Sequence, residues 1–298
     1  MMMEKRLMIF AADHRGTLKT NILNIKNNPS RKQLEYLHDF KAMIFESMTM
    51  AINKGLNKED YALLMDDDYG EKQLRLAKKN GIKIIVPVEK SGQKTFDFNH
   101  GKRFPEHIEK FNPDFVKVLL HFNPENKTEN EKSLKNLRIL NNYLSAKDYK
   151  FLLEVLIDPT EKQLKEYGKK KFDVRIRPLL TVEAIKQLHN AGIYPSIWKL
   201  EGYEKKEIYE LISAEIGDAK IIILGRSESM ERVLKWISIG CKNDKVIGFA
   251  VGRTIFMNAL KKYYTKKISR ESAIKMMANR YYKISKFFLK NSNGNDSV

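Results

Sequence analysis

The chain has 298 residues, 42% hydrophobic and 31% charged, a balance that excludes a disordered chain and supplies enough apolar material for a full core. Its formal net charge is +18, but the lysines are spread along the chain among acids, which argues against a nucleic-acid surface; a positive field of this kind would also steer an anionic substrate. No apolar run reaches the roughly 18–20 residues that span a bilayer, and a lone cysteine, Cys241, excludes an internal disulfide and fits a reducing cytoplasm.

The N-terminal stretch is apolar but is interrupted at once by Asp13-His14-Arg15, so a signal peptide is not expected. From there eight short apolar runs recur: 6–13, 61–67, 82–90, 115–122, 151–157, 195–202, 220–226 and 246–253. Their apolar residues are too continuous for half-exposed antiparallel strands, and they read as parallel strands covered on both faces. Amphipathic segments separate them. Residues 31–55, 71–81 and 181–192 end in Gly55, Gly81 and Gly192, and glycine at a helix end before a strand is αβ punctuation. Further helices are expected at 130–146, 205–215, 228–239 and 254–263, with a last one at 269–290 that can cover the outside of a barrel. The stretches 91–112 and 158–180 read as the longest irregular segments, with room for local structure in both. Eight strand–helix units predict one (β/α)8 TIM barrel over residues 1–290, an α/β single domain with an additional C-terminal helix and a frayed tail at 291–298. A doubly wound open sheet competes, but residues 11–19 lack its glycine-rich phosphate loop.

In such a barrel the polar residues at the carboxyl ends of the strands face the reaction site. Two lysines interrupt apolar strands, Lys117 and Lys199. Buried lysines are costly unless neutral or paired, and two near one another repel, so the pKa of one is expected to fall below its usual value of roughly 10.4. A neutral amine on a rigid strand is what Schiff-base chemistry needs. The bland alternative is that each lysine only pairs with an interior acid, Glu154, Asp13 or Glu201. Glu154 either neutralises a lysine or shuttles protons for an iminium. Asp13 either serves the site or caps the helix after the first strand. His14, Arg15, Asp66 and Glu201 are expected to touch substrate. Glu201 is ambiguous: on the face of Lys199, it either tunes that lysine, binds a hydroxyl or balances a neighbouring charge.

The last two strands end in Gly225-Arg226-Ser227 and Gly252-Arg253-Thr254. Loops after strands seven and eight are the usual phosphate site of these barrels, where glycine lets N–H groups approach and arginine supplies a fork. Ordinary helix capping by Ser227 or Thr254 is the alternative. No metal is expected. The histidines (14, 38, 100, 107, 121 and 189) form no tightly spaced cluster, and three adjacent acids, Asp66-Asp67-Asp68, cannot all face one ion from a strand. Cys241 reads as inert.

The stretches "FAADHRGTL", "FVKVLLHFNPE", "LLEVL", "PSIWKLEG", "ILGRS" and "GFAVGRTIF" resemble class I aldolases of phosphorylated sugars. Most similar is the 5-dehydro-2-deoxyphosphogluconate aldolase domain of inositol degradation (a DUF2090-like domain); tagatose 1,6-bisphosphate aldolase is more distant. The resemblance implies that Lys199 forms the Schiff base, that Glu154 is the acid/base, and that Asp13, Arg15 and Lys117 complete the site. Gly225, Ser227, Gly252 and Arg253 would hold phosphate. It implies a cytoplasmic lyase needing no cofactor. The partner would be a phosphorylated ketose or keto acid, with no nucleic acid or membrane, and a homo-oligomer is allowed for. Cleavage of 5-dehydro-2-deoxygluconate 6-phosphate is the favoured reaction. A tagatose- or fructose-bisphosphate-type aldolase and a non-catalytic phospho-sugar-binding barrel are the alternatives.

Overall fold

The computed structural model describes residues 6–292; the first five residues and most of the expected frayed tail lie outside them. The strands are β1 (Leu7–Ala12), β2 (Tyr61–Met65), β3 (Lys83–Pro87), β4 (Phe115–Phe122), β5 (Phe151–Ile157), β6 (Ile197–Glu201), β7 (Lys220–Leu224) and β8 (Val246–Val251). They pair in chain order into a closed barrel, and every described pairing is parallel. This is the expected TIM barrel. Apart from the first residue of β3 and of β7, one residue in β5 and two in β4, the strand residues are buried. That explains why they read as continuous apolar runs rather than alternating ones.

The helices are α1 (Arg15–Asn21), α2 (Arg31–Ile52), α3 (Asp67–Lys79), α4 (Phe104–Phe111), α5 (Lys127–Ala146), α6 (Glu161–Lys171), α7 (Arg177–Asn190), α8 (Lys206–Glu215), α9 (Met230–Gly240), α10 (Arg253–Tyr264) and α11 (Arg270–Ser292). Four differ from expectation: α3, α4, α6 and α7. Helix α3 begins four residues early, because Asp66 caps it by accepting the Tyr69 N–H. Asp67 and Asp68 then fall in its first turn, where acids suit the helix dipole. Helix α4 lies in a stretch read as irregular; it is only eight residues long and opens on a proline. Residues 158–180 hold α6, one π-helical turn at Phe172–Ile176 and the start of α7. Gly168, at φ +66°, breaks the α6 pattern that periodicity would have needed.

The chain forms two compact units. One is built from the chain up to Pro87, Gly225–Leu234 and the chain from Gly248 on; it carries β1–β3, α10 and α11. Here α11 packs along α2, and Tyr281 donates from its hydroxyl to the Met8 carbonyl at 3.0 Å while its ring meets Phe10 and Phe249. The C-terminal helix therefore covers β1 and β8 from outside, as expected. The other unit, Val88–Leu224 with Lys235–Ile247, carries β4–β7. Gly202 closes β6 in this unit: a Cβ there would sit 2.1 Å from the Trp236 ring, so only glycine admits the indole. Among the described residues no helix is long and apolar enough to cross a membrane.

Candidate active site

Lys199 and Glu154 are register partners on β6 and β5, so their side chains leave the same face of the sheet. Lys117 stands opposite Leu152, one same-face position before Glu154, which makes it a diagonal neighbour. Side-chain reach completes the chain. Lys199 Nζ donates to Glu154 Oε2 at 2.7 Å, and Lys117 Nζ lies 3.0 Å from that same oxygen. Lys117 Nζ also donates to Glu89 Oε1 at 2.6 Å. The result is an alternating row, Glu89–Lys117–Glu154–Lys199, in which two ammoniums meet two carboxylates. Lys117 is 1% exposed and Lys199 3%. Burial of this depth is tolerable only because the charges balance.

Trp198 and Leu200 leave the opposite face of β6. Trp198 meets the His189 ring of α7 edge-on at 5.6 Å, which fixes the strand against its outer helix. The two faces of "IWKLE" are thus divided between packing and charge.

Glu89 lies in the apolar run 82–90, near its carboxyl end. It is held just beyond β3 by a bridge to Phe98, and Val88 donates its N–H to the Lys117 carbonyl. Glu201 points to a residue that the sequence did not single out: Arg177 Nη1 lies 3.1 Å from Glu201 Oε2, with both side chains 2–3% exposed. The Arg177 guanidinium also sits over the Tyr203 ring, 5.7 Å from its centroid. The geometry pairs Glu201 with Arg177. We expect Arg177→Met to destabilise the fold by about 3 kcal/mol, whereas Arg177→Met with Glu201→Leu recovers most of it; urea midpoints measure both. Equal losses in the single and double variants would contradict the pairing.

The strand-one and strand-two residues lie in the other unit. Asp13 does not cap α1: its backbone carbonyl accepts the Arg15 N–H, and its Oδ1 lies 3.7 Å from His14 Nδ1. Arg15 is buried and reaches Asp68 Oδ2 at 3.2 Å. Asp66 corrects the expectation of a substrate contact. It is fully buried, one oxygen caps α3 and the other takes the ammonium of the fully buried Lys41, which also donates to the Ala12 carbonyl. Lys41 was hidden within the helical periodicity of α2.

In the same unit, Gly225, Arg226, Ser227 and Glu228 form a tight turn closed by Glu228 N–H to the Gly225 carbonyl at 2.9 Å, with Arg226 and Ser227 both at positive φ. Two successive non-glycine residues in that region store strain, which is a common feature of ligand loops. Ser229 rather than Ser227 caps α9, by accepting the Arg232 N–H. Thr254 does not cap α10; its hydroxyl donates to the Glu228 carbonyl at 2.8 Å and ties the two loops together. Gly252 precedes α10 where a Cβ would lie 1.9 Å from the Ala11 carbonyl oxygen. Neither capping alternative holds.

The histidines are less dispersed than their spacing suggests: the His100 and His107 rings stack 4.1 Å apart, brought together by the turn into α4. His121 Nδ1 lies 2.7 Å from Asp158 Oδ2, and that hydrogen bond pushes its pKa above the usual histidine value. Cys241 is buried, and burial pushes its thiol up to about 12, which leaves it protonated and unreactive at neutral pH.

The fold and the charged row describe an α/β barrel with two lysines inside it. The chain belongs to the DUF2090 family, described as uncharacterized proteins conserved in bacteria, whose family model matches residues 2–292. No curated protein matches it. Among solved structures it is similar to the fructose-bisphosphate aldolase of Plasmodium falciparum, solved in a ternary complex with TRAP and a small-molecule inhibitor. That match has 12% identity and a TM-score of 0.66, and covers 96% of this chain and 92% of the other. It is also similar to Cgl0159 of Corynebacterium glutamicum, with 16% identity, a TM-score of 0.59, and coverage of 95% and 88%. At these identities the likeness is one of fold.

Proposed function

We propose that the protein is a class I aldolase that cleaves a phosphorylated keto sugar or keto sugar acid through a Schiff base on Lys199. The observation that carries this reading is the single carboxylate oxygen, Glu154 Oε2, shared by Lys199 at 2.7 Å and Lys117 at 3.0 Å. A lysine that only needed a counter-ion would not need a second ammonium on the same oxygen.

The arrangement suits every proton transfer of the reaction. Lys199 passes a proton to Glu154 along their hydrogen bond and becomes the free amine that attacks the ketone. Glu154 returns that proton to the carbinolamine hydroxyl, water leaves and the iminium forms. As a carboxylate again, Glu154 takes the proton of the β-hydroxyl. The C–C bond breaks, its electron pair enters the iminium and an aldehyde departs. The enamine is protonated on carbon and water releases the ketone product, restoring Lys199. Lys117, itself paired with Glu89, holds the second contact on Glu154 Oε2.

The resemblance assigns phosphate to Gly225, Ser227, Gly252 and Arg253, with Arg226 beside them, and gives supporting roles to Asp13, His14 and Arg15. The same resemblance favours 5-dehydro-2-deoxygluconate 6-phosphate as substrate, giving dihydroxyacetone phosphate and malonate semialdehyde. The test is release of dihydroxyacetone phosphate from a panel of ketose phosphates, read by coupled NADH oxidation. Release should occur, and should be unchanged by EDTA. Loss of activity with EDTA, restored by a divalent metal, would contradict a Schiff-base route.

A further inference from the structure

His121 and Asp158 form a second charged pair beyond the lysine row. His121 lies four residues after Lys117 on β4, so both side chains leave the same face of the strand. Four residues of strand separate the two backbones by roughly 13 Å. That spacing suits a group acting at a remote end of a substrate rather than at the iminium carbon.

The pair sits on a buried amide scaffold. The Asn123 side-chain amide donates to the Asp158 carbonyl at 2.7 Å and to Gln163 Oε1 at 2.8 Å. Gln163 Oε1 also accepts the Thr160 N–H at 2.9 Å, and the Asn130 amide donates to the Asn123 carbonyl at 2.8 Å. Asn123, Gln163 and Asn130 are 2%, 3% and 5% exposed. An ordinary surface ion pair contributes little and needs no such support. Here the scaffold pins the loop after β4 to the loop after β5, and so fixes the imidazole relative to its carboxylate while the ring stays about one-third open to solvent, at 34%. Asp158 engages Nδ1, so an anion would be taken by the other ring nitrogen, Nε2. In the protonated ring that atom is a cationic donor.

We propose that His121 binds a second anionic terminus of the substrate, a carboxylate or a phosphate, at the carboxyl end of β4. The word substrate rests on the aldolase reading; the anion site itself does not. The charged groups acting on His121 are Asp158 and Glu154, which favour the imidazolium, and Lys117, which opposes it. The balance raises its pKa, so the cation persists to higher pH than in a free histidine. Anion binding is therefore full at low pH and is lost as pH rises through that elevated value.

Two measurements test this. The first follows the His121 titration by NMR of histidine-labelled protein, assigned by His121→Gln, with malonate, inorganic phosphate or chloride at matched ionic strength. Malonate or phosphate should raise the midpoint by about half a unit or more over chloride, and the stronger of the two identifies the anion. Equal midpoints in all three would overturn the proposal. The second compares His121→Gln with wild type on three ketose phosphates that share one phosphate and differ only at the far end: carboxylate, second phosphate or CH2OH. KM for the matching anionic substrate should rise at least about tenfold, with the CH2OH substrate unchanged. An equal change for all three would mean a structural role and would also overturn it. If no substrate turns over in wild type, the aldolase reading fails, while the NMR titration still decides the anion site.

Discussion

Replacing Lys199 by Met is expected to lower turnover of the ketose phosphate by at least about four orders of magnitude. Without the amine there is no iminium, and without the iminium nothing accepts the electron pair of the breaking C–C bond. The fold should survive the change. Methionine is close in length to lysine, and Glu154 keeps Lys117 at 3.0 Å and is not left as an unpaired buried charge. Replacing one member of a buried ion pair by an apolar side chain is severe only when the other member is abandoned. Steady-state kinetics and a thermal melt together check this: activity should vanish while the melting temperature moves by only a few degrees. Turnover near the wild-type rate would remove Lys199 from the mechanism.

Glu154→Gln is the second large effect. The amide keeps the shape of the carboxyl but can neither take a proton from Lys199 nor return one to the carbinolamine. General acid–base catalysis typically contributes 10²- to 10⁴-fold, and kcat should fall by about that factor. Lys199 remains, so the Schiff base should still form, but slowly. Lys117 keeps Glu89 at 2.6 Å, while Lys199 faces an amide instead of an anion. Slow but complete adduct formation with a collapsed kcat is the signature that separates a proton shuttle from a mere counter-ion. A kcat within tenfold of wild type would assign Glu154 to charge balance alone.

The barrel was legible because parallel strands covered on both faces must be apolar throughout, and all eight apolar runs contain a strand. Lys117 and Lys199 were legible for the same reason, as charges in runs that should have none. What escaped was set by tertiary proximity. Nothing local links Glu89 to Lys117, since their contact follows from β3 and β4 being neighbours in the barrel. Arg177 stands 24 positions before Glu201 at the head of a helix whose start the sequence placed four residues late. Lys41 fits the helical repeat of α2 and became distinct only when Asp66, read as a strand-end acid, proved to be the buried cap of α3. His121 follows Lys117 by four residues in one apolar run, a spacing that puts both on one face of a strand. Its partner Asp158 lies in a stretch read as irregular, and the amide scaffold behind them spans three separate segments.

The proposed reaction runs through a covalent bond between Lys199 and the substrate ketone. Sodium borohydride reduction during turnover, followed by peptide mass spectrometry, tests it directly. A single reduced adduct is expected, on Lys199, with the mass of the dihydroxyacetone phosphate fragment or of the whole ketose phosphate. An adduct on Lys117 instead, or turnover with no adduct on any lysine, would contradict it.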